Sequence, residues 1–179
     1  MVYIFLADGF EIVEAMAPVD IIRRAKIEIK TVGVTGKTVV SSNGVPLVAD
    51  VTCDEFDYSD AECIILPGGG LGVENLEKSE FVSTVIDKAA KDRLLICAIC
   101  AAPSLLGKKG ILKNKNAICF PGFEKYLDGA NLSQEYVVKD ENYITAKGAG
   151  VSLEFGFEIV KALADKQTAE SIRKTIQCK

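Results

Sequence analysis

The sequence contains no histidine among its 179 residues. Histidine is the usual general base for serine and cysteine nucleophiles and a common zinc ligand. Its absence excludes Ser-His and Cys-His catalysis, and zinc sites that depend on imidazole. Chemistry in this chain must therefore rely on other groups, such as a carboxylate and backbone N–H donors.

Two further features are missing, a stripe of basic residues and a long apolar run. Lysine and arginine are interspersed with aspartate and glutamate, and the formal net charge is −4, so no nucleic-acid partner is expected. No apolar segment approaches the roughly 20 residues that span a bilayer, and the amino terminus has no signal-peptide pattern. We therefore expect no membrane partner, a cytoplasmic location and a single domain over residues 1–179.

The six cysteines do not predict a disulfide framework. Cys63, Cys97 and Cys119 each lie in an apolar, strand-like run, where a free thiol behaves as a small hydrophobic side chain. Cys97 and Cys100 have the spacing of a redox dithiol, but an extended strand would separate their Cα atoms by about 10 Å. A disulfide requires less than about 7 Å, so a core thiol at Cys97 is favoured over a redox pair.

Apolar periodicity predicts strands that alternate with helices along the chain. The predicted strands are 2–7, 27–34, 63–66, 94–99, 117–120, 136–139 and 143–146, and the predicted helices are 12–25, 79–91, one beginning at 103, 153–163 and 168–176. Asn43-Gly44 is suited to a type I′ turn and predicts a hairpin or a bent excursion before Val48. This order favours an α/β fold whose mostly parallel sheet is covered on both faces, with a site at the carboxyl ends of its strands.

Cys100 is the candidate nucleophile. The segment from Leu94 to Ile99 is typical of a buried strand, and it ends abruptly at Cys100, which small residues and Pro103 follow. A short strand-to-helix link of this kind resembles a nucleophile elbow. Backbone amides at the helix start would favour a thiolate, and a fall in the cysteine pKa from about 8.5 to about 5.5 would ionise nearly all of the thiol at pH 7.

Glu14 is the candidate partner of Cys100. Asp8 and Glu11 have the spacing of a capping box at the start of the first helix, which gives Glu11 a structural role and leaves Glu14 without one. Pro18 cannot donate a hydrogen bond to the carbonyl of Glu14, so the helix is expected to be irregular there. Burial raises the pKa of a carboxyl, and a protonated Glu14 could donate a hydrogen bond to the thiolate.

A glycine-rich segment, residues 68–72, follows a predicted strand. It lacks the Lys-Ser/Thr ending of a phosphate-binding loop and the spacing of a dinucleotide fingerprint, so nucleotide binding is disfavoured. One interpretation is an oxyanion hole built from the amides of Gly69 and Ala101, because glycine lets a backbone N–H approach a reacting centre. The other is a simple turn. Residues 147–150 have two interpretations as well, a turn before a helix or the rim of a pocket.

Several motifs occur together in one order: Asp8-Gly9-Phe10-Glu11 with Glu14, Leu66-Pro67-Gly68-Gly69, Ala98-Ile99-Cys100-Ala101-Ala102-Pro103, Phe120-Pro121-Gly122 and Gly148-Ala149-Gly150. Over nearly the whole chain they resemble the ThiJ/PfpI superfamily, and in particular its deglycase branch. The resemblance implies a flavodoxin-like three-layer sandwich, usually a homodimer, that works without a cofactor. It also implies a reactive elbow cysteine at Cys100, a protonated partner at Glu14 and an oxyanion-type amide at Gly69.

Two positions depart from patterns within that superfamily. The protease branch has a histidine directly after the cysteine, and Ala101 stands there in this chain, which disfavours peptidase activity. Some members of the deglycase branch have a histidine at the position of Phe120, and its absence removes a proton shuttle from glyoxalase-type chemistry. Glu14 would then be the acid and base at hand.

Three functions stay open from the sequence. In the first, Cys100 attacks a small reactive carbonyl such as methylglyoxal, or a glycated adduct, and the resulting hemithioacetal rearranges and hydrolyses. In the second, the protein is an oxidative-stress sensor or chaperone whose Cys100 is oxidised by peroxide to sulfinic acid. In the third, Cys100 is an unreactive core thiol of a structural or ligand-binding domain. Cys53 and Cys178 have no assigned role.

Overall fold

The computed structural model of the chain describes residues 1–178. Its strands are β1 (Val2–Leu6), β2 (Ile29–Gly33), β3 (Thr38–Val40), β4 (Pro46–Val48), β5 (Val51–Thr52), β6 (Cys63–Leu66), β7 (Leu95–Ile99), β8 (Asn116–Ala117), β9 (Asn131–Leu132), β10 (Val137–Asp140) and β11 (Tyr143–Ala146). Its α-helices are α1 (Ile12–Arg24), α2 (Gly70–Lys78), α3 (Glu80–Lys91), α4 (Pro103–Lys108), α5 (Ser152–Leu163) and α6 (Lys166–Thr175). None of these helices has the length and apolar character needed to cross a membrane.

Seven strands form one sheet in the order β10-β11-β7-β6-β1-β2-β5. Neighbouring strands from β11 to β5 pair in parallel, and β10 pairs antiparallel with β11. The five strands β2-β1-β6-β7-β11 have the flavodoxin-like order 2-1-3-4-5. The strand order reverses between β1 and β6, and ligands of such folds bind at the carboxyl ends of the strands beside that point. The predicted α/β fold with a mostly parallel sheet is confirmed.

The sheet is buried on both faces because its central strands are apolar at every position. In β1, Tyr3 and Phe5 belong to one hydrophobic core, whereas Ile4 and Leu6 belong to the other. Helices α2, α3 and α4 contribute to the first core, and α1, α5 and α6 contribute to the second. The chain thus forms the three-layer sandwich that the sequence predicts.

Three local features differ from the prediction. Helix α2, which begins at Gly70 in the glycine-rich segment, is absent from the predicted helices. The predicted strand 117–120 ends at Ala117, since the next backbone N–H, that of Ile118, donates to a threonine side chain of β11. The hairpin of β3 and β4 forms, but in its turn Gly44 has a positive φ of +78° and Asn43 does not, so the turn is not type I′.

Candidate active site

Cys100 occupies the turn between β7 and α4, with a φ of +65°. Residues other than glycine rarely adopt this left-handed conformation, which costs about 1–3 kcal/mol. Two backbone hydrogen bonds hold the turn: the N–H of Cys100 donates to the carbonyl of Ala146 (2.9 Å), and the N–H of Phe120 donates to the carbonyl of Cys100 (2.7 Å). The partly buried side chain is therefore fixed at the carboxyl edge of the sheet.

Two backbone N–H groups, those of Gly69 and Ala101, donate to the sulfur of Cys100. Gly69 follows β6, and Ala101 lies in the same turn as Cys100, so two neighbouring parallel strands bring the donors together. Both residues are among those that the sequence predicts for the site. Two donors aimed at one atom can stabilise negative charge on the sulfur or on an oxygen beside it.

Glu14 lies in the first turn of α1 and is only 1% exposed. Its Oε2 accepts a hydrogen bond from the N–H of Gly68 (2.9 Å), and its carboxyl also forms a hydrogen bond with the thiol of Cys100. Burial raises the pKa of Glu14 to about 7, although the hydrogen bonds with Cys100 and Gly68 oppose the rise. A buried acid that is partly protonated near pH 7 therefore touches the candidate nucleophile.

Burial raises the pKa of the Cys100 thiol to about 12, with further contributions from the charge and hydrogen bond of Glu14. The fall predicted from the sequence is wrong, because these effects outweigh the lowering by the N–H groups of Gly69 and Ala101. Two negative charges in contact inside a buried site repel each other, so the acid and the thiol titrate as a pair. Between about pH 7 and about pH 12 the pair keeps one proton and carries one negative charge.

The predicted capping box of Asp8 and Glu11 does not form. The Glu11 side chain accepts a hydrogen bond from Ser42 Oγ (3.0 Å), while its N–H donates to the carbonyl of Gly68 (2.9 Å). The Asp8 side chain accepts a hydrogen bond from the backbone of β3 (2.8 Å). Asp8 and Glu11 thus attach the β3-β4 hairpin and the Gly68 loop to the start of α1. These contacts join segments that are distant in the sequence, so local spacing does not indicate them.

Helix α1 continues through Pro18, from Ile12 to Arg24, so the proline does not end the helix. Helix α5 packs closely at this point. A Cβ added to Gly156 of α5 would lie 3.1 Å from the Cα of Pro18. The contact between the two helices therefore supports α1 across the proline, and α1 still presents Glu14 to the site.

Gly68 is a site residue that sequence reasoning missed. A Cβ at this position would collide with Oε2 of Glu14 and would lie 2.6 Å from the Cβ of Cys100. The missing side chain of Gly68 is what lets the acid and the thiol meet. The signal in the sequence is a run of three glycines after a buried strand, which does not indicate which glycine makes the close contact.

Alanine at Gly68 is expected to lower the free energy of unfolding by about 1–3 kcal/mol, because its methyl group would push Glu14 and Cys100 apart. Gly70→Ala is the matched control, since a Cβ at Gly70 meets nothing within 4 Å and alanine favours the helix that begins there. Urea denaturation at pH 7 measures both variants. Equal stabilities for the two would contradict the close packing described for Gly68.

Cys97 is separate from this site. Its sulfur lies 3.9 Å from that of Cys63 inside the core, and burial raises its pKa well above the usual value. All six cysteines lie within the described residues, and all are free thiols. The position of Cys97 fits the core-thiol interpretation and not a redox pair with Cys100.

Both interpretations of residues 147–150 describe the structure. Residues Ala149–Val151 form a 3₁₀ turn that leads into α5. The same segment lines a groove of about 440 Å³ together with Phe120, Pro121 and Tyr136. Within residues 1–178, no group of three or more histidine, cysteine, aspartate or glutamate side chains could hold a metal ion.

Residues 1–162 match the model of the DJ-1/PfpI family. The glutathione-independent glyoxalase DJ-1 of Schizosaccharomyces pombe is 30% identical, over 98% of this chain and 97% of its own length. Protein DJ-1 homolog B of Arabidopsis thaliana is 37% identical over 94% of this chain, which spans only 39% of that relative. The solved structure of oxidized Toxoplasma gondii DJ-1 has a TM-score of 0.94 at 26% identity, covering 99% of this chain and 97% of that one. The chain therefore belongs to the DJ-1/PfpI family.

Proposed function

We propose that the protein is a stress-protective enzyme that converts small reactive carbonyl compounds to hydroxy acids without a cofactor. The observation that carries the proposal is the contact of the Cys100 sulfur with a protonatable acid, Glu14, and with the N–H groups of Gly69 and Ala101. The name of the Schizosaccharomyces pombe relative, a glutathione-independent glyoxalase, supports the same reaction class.

The first step joins Cys100 to the aldehyde carbon of a 2-oxoaldehyde such as methylglyoxal. The sulfur supplies the electron pair of the new C–S bond, and the electrons of the C=O double bond move to the oxygen. As the sulfur attacks, the Glu14 carboxylate takes the thiol proton and passes it to that oxygen, which produces a neutral hemithioacetal and leaves Glu14 ionised. The N–H groups of Gly69 and Ala101 are placed to stabilise the charge that develops beside the sulfur.

The second step is an internal redox reaction, so no external oxidant or reductant is needed. The Glu14 carboxylate removes the proton from the former aldehyde carbon and returns a proton to the neighbouring ketone carbon. The hydroxyl proton of the hemithioacetal passes to the ketone oxygen, so the aldehyde carbon is oxidised to a thioester and the ketone carbon is reduced to an alcohol. Water then cleaves the thioester and releases the 2-hydroxycarboxylate and the thiol of Cys100.

The test is lactate formation by the purified protein from methylglyoxal in the absence of glutathione. We expect one lactate for each methylglyoxal consumed, over many turnovers for each protein molecule. Consumption of methylglyoxal that stops after one equivalent, with a stable adduct on the protein, would refute the enzymatic proposal.

The alternative is a stress sensor whose Cys100 is oxidised to sulfinic acid. Two observations favour it as second candidate: the same N–H groups and acid could bind sulfinate oxygens, and the Toxoplasma gondii relative is described as oxidized. Mild peroxide should then add two oxygen atoms to Cys100 alone, as measured by peptide mass spectrometry, in a protein that forms no lactate. Turnover of methylglyoxal would favour the enzyme over this sensor.

A further inference from the structure

The groove of about 440 Å³ lined by residues 120–121, 136 and 147–151 has no role in the chemistry described so far. Two of its walls are attached to Cys100 through the backbone. The N–H of Phe120 donates to the carbonyl of Cys100 (2.7 Å), and the N–H of Cys100 donates to the carbonyl of Ala146 (2.9 Å), which directly precedes the wall formed by residues 147–151. The groove and the candidate nucleophile therefore share one edge of the sheet.

The size of the groove exceeds what methylglyoxal needs. Pockets for small molecules commonly enclose about 300–1,000 Å³, and this groove lies within that range. Methylglyoxal carries only a methyl group on its dicarbonyl unit, and would leave most of the groove filled with water. A substrate with a larger substituent would displace that water.

The walls of the groove suit a flat and apolar substituent. The side chains of Phe120 and Tyr136 are 47% and 61% exposed, so two aromatic rings are available for contact. The Phe120 ring packs on backbone, because a Cβ added to Gly148 would lie 3.3 Å from its Cδ2. A Cβ at Gly150 would meet nothing within 4 Å, so this part of the groove is open to a ligand.

The charge of the groove is compatible with a neutral aromatic substituent. Among the described residues that line it, only Lys147 carries a charge, and its ammonium lies 4.9 Å from the centre of the Tyr136 ring. A lone cation disfavours a cationic substituent, and a cation can also rest against the face of an aromatic ring.

We propose that this groove binds the substituent of the substrate, and that the preferred substrates are 2-oxoaldehydes with an aromatic substituent. The proposal rests on the proposed function and names its substrate class. The aromatic ring lies against Phe120 and Tyr136, above the glycine backbone of residues 148–150, while the aldehyde carbon faces the sulfur of Cys100.

Steady-state kinetics with phenylglyoxal and methylglyoxal test the groove. We expect kcat/KM to be about tenfold higher for phenylglyoxal, because its ring is buried against apolar walls. Phe120→Ala removes a wall but keeps the backbone N–H, and Gly150→Leu fills the open part, so each should abolish this preference. Leu132→Ala is the control, since Leu132 is similarly exposed (50%) but lies outside the groove, and the preference should persist. Equal kcat/KM values for the two substrates in the wild type would overturn the proposal.

Alkylation of Cys100 separates a failure of the groove from a failure of the proposed function. In this reaction the sulfur displaces iodide from iodoacetamide or from its N-phenyl derivative, and no turnover is required. For each protein we compare the alkylation rate with the N-phenyl reagent to the rate with iodoacetamide. We expect this ratio to be about tenfold higher in the wild type than in Phe120→Ala. Such a preference in a protein that turns over no 2-oxoaldehyde would refute the proposed function and keep the groove as an aromatic subsite. Turnover without any aromatic preference in either assay would refute the groove alone.

Discussion

Replacement of Cys100 by serine is expected to reduce lactate formation from methylglyoxal to less than roughly a thousandth of the wild-type rate. A serine hydroxyl is a much weaker acid than a thiol. The Glu14 carboxylate, whose conjugate acid has a pKa of about 7, cannot remove the hydroxyl proton to a useful extent. The chain contains no histidine that could serve as the base instead. The turn at residue 100 needs no cysteine side chain for its backbone hydrogen bonds, so the variant should fold.

Cys53→Ser is the matched control for this experiment. Cys53 is also a partly buried free thiol, and its sulfur contacts the carbonyl of Gly33 (3.8 Å) away from Glu14 and Cys100. We expect wild-type activity from Cys53→Ser and none from Cys100→Ser at similar melting temperatures. Substantial activity in a folded Cys100→Ser variant would remove the nucleophile from the mechanism.

Replacement of Glu14 by glutamine is expected to have opposite effects on activity and on stability. The rate of lactate formation should fall about 10²- to 10⁴-fold, because glutamine cannot carry protons to and from the substrate. The free energy of unfolding at pH 8 should rise by up to about 3 kcal/mol, because the neutral amide avoids the cost of an ionised carboxyl in a buried site. Glutamine can still accept the hydrogen bond from Gly68 and donate one to the sulfur.

The pH dependence of that stability gain follows from the raised pKa of Glu14. The folded protein binds the Glu14 proton up to about pH 7, whereas the unfolded chain releases it near the ordinary value of 4.5. The contribution of Glu14 to the free energy of unfolding of the wild type is therefore most favourable below pH 4.5, and it is lost as the pH rises to about 7. The advantage of Glu14→Gln should be absent at pH 4 and complete at pH 8, as measured by urea denaturation.

Glu11→Gln is the control for the charge change. Glu11 lies in the same region, but its side chain binds Ser42 and does not touch the sulfur. It should keep most of the activity, and its stability should not follow the pH dependence of the Glu14 variant. A Glu14→Gln protein that keeps wild-type activity and gains no stability at pH 8 would contradict the assigned role of the acid.

Much of the site follows from local sequence, because the residues that end parallel strands meet at one edge of the sheet. This rule places Cys100, Gly69 and the start of α1 together, as the structure has them. The role of Gly68 and the partners of Asp8 and Glu11 depend on contacts between distant segments, which local spacing does not contain.

The direction in which the pKa of Cys100 shifts could not be predicted for a similar reason. The turn and its N–H donors are visible in the sequence, but the extent of burial and the charge of Glu14 arise only when the layers pack. The homodimer, the cytoplasmic location and the single domain over residues 1–179 stay predictions.

The most direct test of the pairing between Glu14 and Cys100 is the rate of Cys100 alkylation by iodoacetamide from pH 5 to pH 10, measured by peptide mass spectrometry in the wild type and in Glu14→Gln. If the acid and the thiol share one proton, the wild-type rate should rise through about pH 7 to a plateau, because the Glu14 carboxylate formed there can take the thiol proton as the sulfur attacks. In Glu14→Gln this rise near pH 7 should disappear, since the carboxyl that releases the proton is gone. A wild-type rate that rises only near the ordinary thiol pKa, and that is the same in Glu14→Gln, would contradict the pairing of Glu14 with Cys100.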